Sequence, residues 1–170
     1  MPTYIALLRA VNVGGTGKLP MADLVTICVA AGLANVRTYI ASGNAVFDSE
    51  AGAAEIKAAL EQRLASHAGK PVGVIVRSAA EMAEVLARNP FPDAPPHWTV
   101  ALFLDAAPPE DTLERLKGQA DERVQLGARE IYVAYGAGMA RSRLKIPAVA
   151  SGTARNLNTI AKLSQMANST

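Results

Sequence analysis

The chain has 170 residues, 50% hydrophobic and 19% charged, an ordinary globular composition that fits one compact domain or two small halves. A formal net charge of +2, with lysines and arginines scattered along the chain, is too small to force a nucleic-acid reading, since strong DNA or RNA binders usually show a concentrated basic face. The single cysteine, Cys28, excludes an intrachain disulfide framework; with no signal peptide or membrane span in the Arg9- and Asn12-interrupted opening, a cytoplasmic protein is expected.

Tyr4 to Val13 reads as a strand of β-branched and large apolar residues ended by Gly14-Gly15. A helix follows from Pro20, with Leu24, Ile27, Cys28 and Ala31 at helical spacing and Gly32 as its stop. Two strands come next, 35–41 and 45–48, around Ser42-Gly43-Asn44. Ile56, Leu60 and Leu64 mark a helix over 55–68. The spacing then predicts a buried strand over 71–77 and a helix over 79–88, ended at Asn89-Pro90. NPFPDAPPHW, 89–98, holds four of the ten prolines and reads as a rigid loop. Beyond it are a strand over 99–105, a helix over 109–119, and a hairpin of 124–126 with 130–135 around Gly127-Ala128. A loop carrying Arg141, Ser142, Arg143 and Lys145 leads to a last helix over about 153–167.

Strand-helix-strand-strand-helix therefore runs from 4 to 68 and again from 99 to 167, with 71–88 between the copies. The pattern predicts an α+β protein of two ferredoxin-like β-α-β-β-α halves packed together, with antiparallel or mixed sheets. One larger mixed α/β sheet is the alternative. The halves are expected at 1–78 and 99–170, joined by the helix and proline-rich loop of 79–98.

LLRAVNVGGTGKLPM, residues 7–21, resembles a phosphate loop but satisfies neither common nucleotide motif. In the Walker A pattern, Asn12 would stand for the first glycine and Leu19 for the magnesium-binding hydroxyl. In the dinucleotide pattern the third glycine would be Pro20. A milder role survives: amides bare of side chains at Gly14, Gly15 and Gly17, near a helix start, can cradle an anion beside Lys18. The plain alternative is a strand-to-helix turn with a solvated lysine.

Ser42-Gly43-Asn44 has two readings as well, a turn tolerant of positive φ or a hydroxyl and amide aimed at a ligand. In a β-α-β-β order this turn can lie at the sheet end opposite the first loop, and the sequence leaves that open. In TARNLNTIAKL, a helix capped by Thr153 would place Arg155, Thr159 and Lys162 on one face, with Leu157, Ile160, Ala161 and Ser164 opposite. Arg155 and Lys162 could then hold phosphate or carboxylate, or face solvent.

Catalytic groups are sparse. His67 lies near a helix end and His97 in the proline-rich loop, neither with partners at metal-ligand spacing. Cys28 falls on an apolar helix face, where a buried, inert thiol is expected. Trp98 and Phe91 are expected to cover the core.

ALLRAVNVGG with Lys18 and Pro20-Met21, then VRTYIASGNAVFDS, then TARNLNTIAKL, resembles the bacterial family called domain of unknown function 1697. Three separated motifs in order span nearly the whole chain. The resemblance implies two ferredoxin-like halves and no activity. Its motif positions fall on Arg9, Asn12, Gly14, Gly15 and Lys18; on Thr38, Tyr39, Ser42, Gly43 and Asn44; and on Thr153, Arg155, Asn156, Thr159 and Lys162. Ala10, Ala41 and Leu157 depart from its glycine, glutamine and tryptophan, and the last change weakens any idea of base stacking there.

A fold alone does not require so many polar motif positions. One basic pocket is therefore expected, built from the first loop, the Ser42–Asn44 turn and the start of the last helix, and taking a small, phosphate-bearing or other anionic ligand. Arg9, Lys18, Arg155 and Lys162 would supply charge, and Asn12, Ser42, Asn44 and Asn156 orientation. No metal or cofactor is implied, no catalytic base is identifiable, and a monomer or weak dimer is expected. Two rivals stand beside this reading: a nucleic-acid-binding module using aromatics on an open sheet face, and a structural unit whose polar motifs are internal fasteners.

Overall fold

The computed structural model describes residues 1–9, 19–40, 43–136, 142–147 and 152–168. The fold is α+β, with two four-stranded antiparallel sheets. It divides into one unit of Met1–Ala83 with Leu163–Thr170 and a second of Glu84–Lys162.

The first unit follows β1 (Thr3–Leu8), α1 (Met21–Ala30), β2 (Ala34–Thr38), β3 (Asn44–Asp48), α2 (Ala53–Ala68) and β4 (Val74–Ser78). Its strand order is β2-β3-β1-β4, the split β-α-β-β-α-β arrangement. Pro20 precedes α1 in an extended conformation, where its missing N–H costs no helical bond. Gly69, at φ +71, closes α2 by donating to the Ala65 carbonyl. Leu24, Ile27 and Cys28 of α1 and Ile56, Leu60 and Leu64 of α2 pack with Ala6, Leu8, Phe47, Val74 and Val76 in one core. The opposite sheet face is buried too, at Ile5, Leu7, Val46, Ile75 and Arg77. That double burial is why β1 and β4 read as continuous apolar runs.

α3 (Ala79–Ala87) follows β4 directly. Ser78 and Glu81 form a capping box at its start: the Glu81 N–H donates to Ser78 Oγ at 3.1 Å, and the Ser78 N–H donates to Glu81 Oε1 at 2.9 Å.

The second unit contains β5 (Thr99–Phe103), β6 (Arg123–Leu126), β7 (Glu130–Ala134) and β8 (Thr153–Asn156), in the order β6-β7-β5-β8. Its core joins Val100, Leu102, Leu104, Ile131, Val133 and Ile146. On the other face Tyr132 donates its hydroxyl to the Val85 carbonyl at 2.7 Å. α4 (Leu157–Asn168) follows β8; its carbonyl at Met166 accepts from Arg37 Nη1 at 3.0 Å.

Several expectations need correction. The helix over 109–119 is only a 3-10 turn, Thr112–Arg115. Lys117 is drawn out of it by a two-bond bridge to Lys145, with N–H to O distances of 3.1 and 2.7 Å. The helix over 153–167 begins at Leu157, because Thr153–Asn156 supply the fourth strand of the second sheet, pairing with Val100–Phe103. Pairing against a buried strand overrides the local helix pattern. The repeat is therefore aligned differently: β5 to β8 match β1 to β4, α4 matches α3, and the strand at 74–78 belongs inside the first copy. Among the described residues no helix lies between β7 and β8. The part of the first strand expected at 10–13 lies outside the described residues.

Candidate functional site

The C-terminal end of β1 is held from both sides. Leu7 pairs with Asn44, and the Leu8 N–H donates to the Gly43 carbonyl at 2.9 Å. On the other side the Arg9 N–H donates to the Gly73 carbonyl at 2.9 Å. The turn that joins β2 to β3 thus lies at the sheet end where β1 runs out toward the glycine-rich loop. Among the described residues, Gly43 and Arg9 therefore share one end of the sheet.

Gly73 matters there for its missing side chain. A Cβ at that position would stand 3.1 Å from Arg9 Cδ, so the half-buried arginine lies directly over the glycine backbone.

The turn is locked by Asn44, which is fully buried. Its carboxamide Nδ2 donates to the Tyr39 carbonyl at 2.8 Å, while the Tyr39 N–H donates to the Asn44 carbonyl at 3.0 Å. Gly43, at φ +90, takes the left-handed conformation that glycine tolerates. Asn44 therefore shapes the turn from within.

The second-unit residues are arranged otherwise. Arg155 lies on β8, only 6% exposed, and donates to Thr153 Oγ1 at 2.7 Å and the Ala154 carbonyl at 2.9 Å. Burial pulls its pKa down to about 10. Being on a strand, Arg155 does not share a helix face with Thr159 and Lys162. Asn156, and not Thr153, caps α4: its Oδ1 accepts the Thr159 N–H at 2.9 Å. Thr159 is buried, whereas Ala161 and Lys162 are exposed, which corrects the expected faces. Asn12, Gly14, Gly15, Lys18, Ser42 and Arg141 lie outside the described residues.

Sequence reading missed Arg77, a fully buried side chain on β4 at 1% exposure. The signal was present in Arg77-Ser78-x-x-Glu81, where a capping box follows an apolar strand without a linker. Cys28 is buried as expected, and desolvation pushes its thiol up to about 12. His67 stands 3.6 Å from Asp23, across α2 and α1. Glu122 accepts the Ser142 hydroxyl and the Ala120 N–H, and these bonds lower its pKa. Among the described residues no group of three or more His, Cys, Asp or Glu side chains could hold a metal ion. No helix among them is long and apolar enough to cross a membrane.

The sequence pattern of the family described as "Protein of unknown function (DUF1697)" matches residues 1–132. The chain belongs to that family. The DUF1697 match takes in β1 to β6 and part of β7, while β8 and α4 fall beyond it. The fold is similar to that of the conserved bacterial protein SP0830 from Streptococcus pneumoniae. The TM-score is 0.82 at 27% identity, covering 98% of this DUF1697 chain and 99% of the other. No curated protein matches it.

Proposed function

We propose that the first unit binds a small anionic, phosphate-bearing ligand at the sheet end where β1 runs out. Arg9 and Lys18 supply the charge, Asn12 and Ser42 orient the ligand, and Gly14, Gly15 and Gly43 leave room for close backbone approach. The observation that supports this reading is the Leu8 N–H bond to the Gly43 carbonyl, one residue before Arg9. Asn44 contributes by fixing the turn, since its carboxamide is committed to Tyr39. Arg155, Asn156 and Thr159 are assigned to the β8–α4 junction, and exposed Lys162 to the surface of the second unit.

The test is thermal unfolding with phosphate, nucleotides and sugar phosphates. A ligand at a hundredfold its Kd should stabilise the protein by roughly 2.7 kcal/mol, and Arg9→Ala or Lys18→Ala should abolish most of that gain. If no such ligand raises the melting temperature, the reading fails.

One observation favours a second reading, in which the polar motifs are fasteners only. Among the described residues every buried side-chain nitrogen and oxygen has a hydrogen-bond partner, Asn44 included. An Asn44→Ala variant that loses stability, in a protein indifferent to all anions, would establish that alternative. The nucleic-acid reading has less support: Phe47, Phe103 and Tyr132 are buried and cannot stack on bases.

A further inference from the structure

The seam between α1 and α2 of the first unit opens into a hollow on the side away from the core. The inner faces of the two helices, at Leu24, Ile27 and Cys28 and at Ile56, Leu60 and Leu64, pack inward. Along the seam the facing residues are small, Ala30 on α1 and Ala59 on α2, too short to fill the space between two packed helices. The hollow measures about 470 Å³, the size of a small-molecule site, and the nearly buried Ile27 contributes to its apolar lining.

The polar lining comes from one stripe of α2. Gln62, Arg63 and Ser66 follow Ala59 at i+3, i+4 and i+7. Arg63 is exposed, and among the described residues its guanidinium has no ion-pair or hydrogen-bond partner. No carboxylate stands three or four residues from it on α2, whereas Lys57 on the same helix holds Glu61 at 2.9 Å. The side chains of Gln62 and Ser66 are likewise uncommitted among the described residues. Other charges along the seam are negative or already paired. An adjoining hollow that shares Ala59 is lined by Glu50 and Glu55, and Asp23 stands 3.6 Å from His67. The seam therefore matches one negative charge and disfavours a dianion.

We propose that this hollow binds a small organic monocarboxylate with an apolar body. Arg63 pairs with the carboxylate, whose planar shape suits the guanidinium fork, while Gln62 and Ser66 hydrogen-bond to it. Ile27, Ala30 and Ala59 take the apolar body out of water. This site lies apart from the β1 end and does not rest on the phosphate reading.

Cinnamate, its neutral analogue cinnamamide and acetate are the probes, titrated by calorimetry into the full chain and into its Arg63→Gln and Ala59→Leu variants. Wild type should bind cinnamate saturably with a Kd that is millimolar or tighter, and acetate far more weakly. Arg63→Gln should weaken cinnamate at least about fivefold and leave cinnamamide unchanged. Ala59→Leu, which fills the hollow, should weaken both; should that variant fail to fold, the exposed Arg63→Gln substitution carries the test alone. Arg9→Ala should leave cinnamate binding intact, so failure here and failure of the phosphate reading are told apart. No saturable cinnamate binding, equal affinity for the amide, or an affinity that survives either folded variant of the seam would overturn the assignment.

Discussion

Arg77 and Arg155 occupy the same place in the two sheets. Arg77 pairs across β4 with Ile5 of β1, and Arg155 pairs across β8 with Ala101 of β5. Ile5 and Ala101 are themselves equivalent, because Leu8 and Leu104 further along each donate to the third strand's approach, at Gly43 and Arg129. Each arginine is buried, and each is followed at once by a helix cap, Ser78 for α3 and Asn156 for α4. A buried guanidinium costs several kcal/mol in desolvation unless its donors are met, so these are fixed structural elements.

Truncating either arginine should therefore destabilise the fold in the same way. Arg77→Ala and Arg155→Ala should each lose about 3 kcal/mol in denaturant unfolding, through cavity formation and acceptors left unpaired. A loss below about 1 kcal/mol for either would mean that the two positions are not equivalent in energy.

Gly73→Ala separates binding from folding. The new Cβ would meet Arg9 Cδ at 3.1 Å, and a flexible side chain can yield by moving aside. Stability should fall by less than about 1 kcal/mol, since the backbone bond from Arg9 to Gly73 remains. Affinity for phosphate should fall several-fold because the guanidinium is displaced, as titration of the variant would show.

Cys28 offers a reporter of unfolding. With the thiol buried and raised to about 12, it should resist alkylation at pH 8 in the native state and react at once in denaturant. Rapid native-state labelling would show that the α1 face opens. Stability should also decline above about pH 9, where the unfolded thiol ionises and the native one stays protonated.

Acid acts through carboxylates. Asp48 accepts from Asn35 Nδ2 and Thr3 Oγ1, and Glu122 accepts from Ser142 and the Ala120 N–H; both pKa values are lowered in the fold. A depressed acid contributes stability that is full above the ordinary carboxylate range, near pH ~4–5, and is lost as pH falls through the folded value. Asp48→Asn should flatten the acid limb of the stability profile, measured by urea unfolding between pH 2 and 6. An unchanged limb would exclude Asp48 as a contributor.

Much of the first unit was legible because its periodicities are local. Ile56, Leu60 and Leu64 announce a helix, and Gly32 and Gly69 end helices at positive φ. The α4 boundary was not legible, since Thr153-Ala154-Arg155-Asn156 becomes a strand only through pairing with distant Val100–Phe103. The same misplacement put Arg155 on a helix face and hid its equivalence to Arg77. The bond from Leu8 to Gly43 also depends on strand order, which no local pattern carries. Asn44 read as a ligand group because burial, not residue type, decides that an amide serves the backbone.

The central claim is that an anion binds at the end of β1 beside the Gly43 turn. Amide chemical-shift mapping during a phosphate titration tests it most directly. Saturable shifts should concentrate at Leu8, Arg9, Gly43 and Asn44, and Arg9→Ala should remove them. Saturable shifts confined to other surfaces, or none at millimolar ligand, would contradict it.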